Sequence, residues 1–86
     1  MADFFARVEL HGYATESDYE KLHEEMAKYR FVRKINGKDL PTGTYHKANG
    51  ISGVETERSN CRTAASATGH TYSLVVIQSA DWAGYF

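Results

Sequence analysis

A single cysteine, a single proline and no long apolar run bound this 86-residue chain before any motif is read. Cys61 alone can close neither an internal disulfide nor a multi-thiolate zinc site, so a reducing, cytoplasmic compartment is expected. No apolar stretch approaches the roughly 18 residues that a membrane span needs, and the opening MADFFARVELHG carries an acid where a signal peptide carries basic residues. The expectation is a soluble, unexported protein with no membrane partner. A phosphate-cradling glycine loop, a nucleophile elbow and metal-ligand spacing are missing as well, so neither metal nor cofactor is expected. What is present is a hydrophobic fraction of 42% with 13% aromatics, which belongs to a folded protein and not to a disordered tail. One domain over residues 1–86 follows. Its core must be small, since a chain of this size hides only roughly 60–65% of the surface its unfolded form exposes, and a second subunit would add buried area.

The net charge of −1 argues against a wholesale polyanion binder, but its distribution is uneven. Residues 1–27 hold seven acids and two basic side chains, a net −5, while residues 28–62 hold eight basic side chains and three acids, a net +5. Five of the ten basic residues, Lys28, Arg30, Arg33, Lys34 and Lys38, fall within KYRFVRKINGK, a density that concentrates a polyanion locally. The competing reading is a solvated helix end and hairpin.

Residues 3–11 alternate strictly, Phe4, Ala6, Val8 and Leu10 against Phe5, Arg7, Glu9 and His11, as a half-buried strand does. Ser17 and Glu20 have capping-box spacing, and Tyr19, Leu22, Met26 and Tyr29 then recur as the apolar stripe of a helix. Phe31 to Ile35 alternates again, and Asn36-Gly37 signals a tight reversal into an arm that resumes near Thr42, beyond Pro41, and runs through Lys47. Ser52 and Glu55 repeat the capping spacing for a second helix, with small residues on its apolar side and Gly69 at its end. HTYSLVVIQS reads as a last strand with apolar residues of both parities.

The order strand, helix, strand, strand, helix, strand predicts an α+β, ferredoxin-like split βαβ fold, with a four-stranded antiparallel sheet in the order 4-1-3-2 and two helices on one face. The other face would stay open, presenting Phe5, Arg7, Glu9 and His11, and with Val75, Ile77 and the aromatic tail of Trp82, Tyr85 and Phe86 it is the expected homodimer or partner interface.

Metal-free RNA cleavage needs a base for the 2′-hydroxyl, an acid for the leaving oxygen and a cation for the phosphorane. His11 and His46 would lie at opposite ends of antiparallel strands, on the order of 15 Å apart at about 3.3 Å per residue. His70 opens the last strand beside His11 and completes the one histidine couple, each with a structural reading as its alternative. Arg7 is either a cross-strand partner of an acid or a phosphate ligand. His23-Glu24-Glu25 lacks the second histidine of a zinc helix and reads as part of its wet face. Tyr45 and Tyr29 read as core, and Cys61 as a small buried hydrophobe.

RVELHGYATESDYEKLHEEMAKYRF and LPTGTYH together resemble the GhoS family of type V antitoxins, over most of residues 4–47. The resemblance implies a ferredoxin-like fold and an endoribonuclease that cuts the mRNA of a small membrane-damaging toxin. It places no catalytic residue. The assignment drawn from the residues is Arg7, His11, Arg30 and His70 for catalysis and Lys28, Arg33, Lys34, Lys38 and Lys47 for holding RNA. The alternatives are a non-enzymatic inhibitor of a bacterial defence complex, of phage or mobile-element type, with the acidic face of Glu16, Asp18, Glu20, Glu24 and Glu25 imitating phosphates, and a regulator that binds RNA without cutting it.

Overall fold

The structure, a computed structural model, describes residues 2–35, 37–50 and 53–79, except for the side chains of Ala2 and Asn49. Asn36, Ser52 and the tail residues Trp82, Tyr85 and Phe86 lie outside the described residues. Seven elements follow one another: β1 (Ala2–Leu10), α1 (Glu16–Ala27), β2 (Lys34–Ile35), β3 (Lys38–Asp39), β4 (Thr44–Gly50), α2 (Val54–Ser66) and β5 (Tyr72–Ser79).

β1, whose alternation sets one apolar face toward the helices, is the middle strand of the main sheet. It pairs antiparallel with β4 on one side and β5 on the other, and buries Phe4, Ala6, Val8 and Leu10 under both helices. Leu22 and Met26 of α1, Cys61, Ala64 and Ala65 of α2 and Tyr45 of β4 complete this core. The alanines of α2 leave the room that lets it lie close to the sheet.

The four-stranded 4-1-3-2 sheet expected from the element order does not form. The main sheet has three strands in the order β4-β1-β5, and β2 pairs only with β3 as a separate two-stranded ribbon. The cause lies at the end of α1. Arg30 takes a left-handed conformation with φ of 67°, and the Phe31 N–H turns back to the Met26 carbonyl at 3.1 Å, which drops the Phe31 ring into the core. Val32 then meets His46 of β4 in one isolated bridge, with N–O distances of 2.8 and 2.9 Å. Beyond it the Arg33 carbonyl accepts from the Leu40 N–H at 2.6 Å, so Lys34 and Ile35 pair within their own hairpin and not with β4. Pro41, which has no N–H, then leads the chain through a turn closed by Thr44 N–H to the Pro41 carbonyl at 2.9 Å.

Both helices also start elsewhere than expected. The N-cap of α1 is Thr15: its hydroxyl accepts from the Asp18 N–H at 3.3 Å while the Asp18 carboxylate accepts from the Thr15 N–H at 2.8 Å. Ser17 and Glu20, with the same spacing, fall inside the helix. Thr15→Ala is expected to lower stability by about 1 kcal/mol in urea denaturation. The N-cap of α2 is Gly53, which offers no side chain, and the start of that helix relies on Glu55 and Glu57 in its first turn.

Candidate functional site

Arg7, His11, Arg30 and His70 do not converge. His11 and His70 meet at the end of the sheet where β1 stops, while Arg7 lies four residues back along β1, about 13 Å at the rise of a strand. Arg30 sits just before the Val32–His46 bridge, at the register of Phe5. His70 has no ring nitrogen left for a substrate. Its Nδ1 is 2.7 Å from the His11 carbonyl and its Nε2 3.0 Å from the Asp18 carboxylate, two oxygens that only accept. The ring thereby ties the ends of β1 and the starts of α1 and β5 together. Asp18 is held below the ordinary carboxylate range, chiefly by the Thr15 backbone N–H. His11 keeps its Nε2 on the Ser73 hydroxyl at 3.0 Å.

The basic side chains divide in the same way. Lys47 is bound to the fully buried Glu57 at 2.6 Å, and Lys28 to Glu25 at 3.0 Å. Lys34 makes an open contact of 3.6 Å to Asp39. Arg30, Arg33 and Lys38 make no ion pair among the described residues. Of the acids on α1, Asp18 and Glu25 are likewise engaged, which leaves Glu16, Glu20 and Glu24 to form an acidic face.

Where β2 should have joined the sheet, the structure has a groove of about 510 Å³ between α1 and the segment leading into β2, lined by His23, Ala27, Phe31, Val32, Arg33 and Lys34. Its surface is mostly apolar, with charge at one end. The Arg33 Nε is buried there without a hydrogen-bond partner. His23 is not a wet-face residue. Its Nδ1 lies 2.6 Å from the Tyr45 hydroxyl, and burial, helped by the charge of Arg33, holds the imidazole below its ordinary pKa of 6.5 and hence neutral at pH 7. Burial raises the Tyr45 phenol above its ordinary range, so it keeps its proton, and in the tautomer where that proton is directed at Nδ1 the ring's own N–H lies on Nε2. The His23 Nε2 then carries an N–H with no partner among the described residues. The site therefore combines an apolar floor, a neutral N–H donor and two cations.

The spacing that places His23 here was present in the sequence: it is four residues after Tyr19 and three before Met26, on the margin of the buried stripe. The depressed pKa also has a sign. In the window below about 6.5 the unfolded chain accepts a proton on His23 that the folded chain refuses, so stability falls as the pH drops through that window. Urea midpoints measured from pH 7.5 to 5.5 are expected to decline less steeply for His23→Gln than for the natural chain.

Among the described residues no helix is long and apolar enough to cross a membrane. No protein-family model, curated protein or solved structure matches the chain.

Proposed function

We propose that this chain is an RNA-directed, cytoplasmic antitoxin of the GhoS-like kind, working as a homodimer and holding single-stranded RNA from a small membrane toxin's transcript in the α1–β2 groove. The observation that carries the reading is the groove itself: an apolar floor beside the unpaired Arg33 and the loosely held Lys34, with neutral His23 at its edge. Single-stranded RNA is recognised in this way, an unstacked base lying on apolar or aromatic surface while its backbone runs along cations. Arg30 and Lys38 extend the positive edge on either side in the sequence. Scission of the bound strand is the step that the resemblance adds, and His23 is the histidine whose open ring nitrogen borders these cations.

Fluorescence anisotropy with a labelled toxin transcript tests the reading. Arg33→Ala combined with Lys34→Ala is expected to weaken binding at least about tenfold and to flatten the salt dependence by about two charges. Equal affinity of the double variant and the natural chain would remove the groove from the account. The same mixtures run on a denaturing gel in EDTA distinguish the two activities. Scission that His23→Ala slows by about a hundredfold or more marks an enzyme, and intact RNA marks a regulator that does not cut.

A further inference from the structure

The sheet face turned away from the helices carries Phe5, Arg7 and Glu9 of β1, with Val75 opposite Arg7, Ile77 opposite Phe5 and Ser73 opposite Glu9. Val75 and Ile77 are 57% and 55% exposed, and Val32, bridged to His46 at the far edge, is 47% exposed. An antiparallel sheet with one wet face ordinarily turns polar residues outward. Here the two central outward positions of β5, Val75 and Ile77, are β-branched and apolar, a pattern that marks a contact surface. Its charges identify the partner. Arg7 and Glu9 are exposed, opposite in sign, two residues apart, and without an ion pair among the described residues. A surface balanced in this way does not attract a polyanion. It does complement itself, because a two-fold axis between the two positions brings each Arg7 onto the other chain's Glu9, as an isologous interface requires.

We infer that this face seats a second copy of the chain, packed sheet to sheet, with the Arg7–Glu9 contacts made twice about the axis, Val75 of both copies beside them and Ile77 further out along each strand. The inference takes only the two-chain stoichiometry from the functional reading. Of the groove residues only Val32 borders this face, and no substitution in the test touches it.

Sedimentation of the full chain over a concentration series, with far-UV circular dichroism confirming the fold of every variant, tests it. The natural chain should dimerise. Arg7→Glu and Glu9→Arg each place like charges in contact twice, and each should weaken dimerisation at least about tenfold. An equimolar mixture of the two variants should recover dimers, because every contact between unlike variants again pairs opposite charges. Val75→Asp should abolish them. A natural chain that stays monomeric, single swaps that leave the dimer intact because the outer edge of β5 pairs instead, or a mixture that does not recover would each overturn the inference. Such a failure leaves the groove standing or falling on its own anisotropy measurement, and loss of RNA binding with the dimer intact would sink only the functional reading.

Discussion

Lys47→Ala is expected to cost about 3–5 kcal/mol, enough to unfold most of a chain with so small a core. Lys47 is on the helix side of β4, 15% exposed, with its ammonium 2.6 Å from Oε2 of Glu57, which is fully buried on α2. The contact with Oε2 is one of charge, since no aligned hydrogen bond reaches that oxygen, while the Asn60 amide donates to Oε1 at 3.0 Å. The Phe31 ring, 5.7 Å below the ammonium, closes the site from another side. Removing the lysine leaves a carboxylate in the core with one neutral donor. Removing both charges is a different experiment: Lys47→Met with Glu57→Leu fills the same space without ions and should be close to neutral or stabilising. Urea denaturation of the single and double variants checks both outcomes. Lys47, a residue that its charge and position assign to RNA, is therefore structural, and any RNA-binding defect of Lys47→Ala must be read against its unfolding.

Gly43→Ala is the second large loss, about 3 kcal/mol or more. Gly43 has a φ of +84°, where a side chain is strained, and a Cβ built there would lie 2.5 Å from the Val8 carbonyl oxygen. That neighbour is backbone of the central strand, and the Val8 N–H is itself bound to the Gly43 carbonyl at 2.8 Å, so neither side can move without breaking the β1–β4 junction. Gly37 supplies the control. Its φ is +78°, but nothing lies within 4 Å of the position of a Cβ, so Gly37→Ala should lose only the cost of the left-handed backbone, about 1 kcal/mol. Thermal melts of the two variants separate conformation from collision.

What could be read from the residues alone was whatever repeats at a fixed period. The alternation of β1 and the stripe of α1 are local patterns, and the structure places strand and helix there. The failure at β2 has the opposite character. FVRKI followed by Asn-Gly marks a hairpin but does not say which edge the hairpin meets, and that was decided by Arg30 and Phe31 turning back on α1. The start of α1 was ambiguous because Thr15 with Asp18 and Ser17 with Glu20 fit the same capping pattern. A distant contact, His70 on Asp18, reinforces the first pair. His23 was hidden for a related reason: a histidine among Leu22, Glu24 and Glu25 acquires its role only when a tyrosine from β4 arrives beneath it.

Among the described strands the middle one of the main sheet comes earliest in the chain, and each of its neighbours comes from much later. Phe4, Val8 and Leu10 lack the cover of α2 until residues 54–66 have emerged, and β1 keeps one open edge until residues 72–79 follow. Pairings that distant slow folding and leave a bare strand available to other chains meanwhile. Synthesis is thus an interval of exposure for β1, and Ala2–Leu10 is the stretch a chaperone would have to cover.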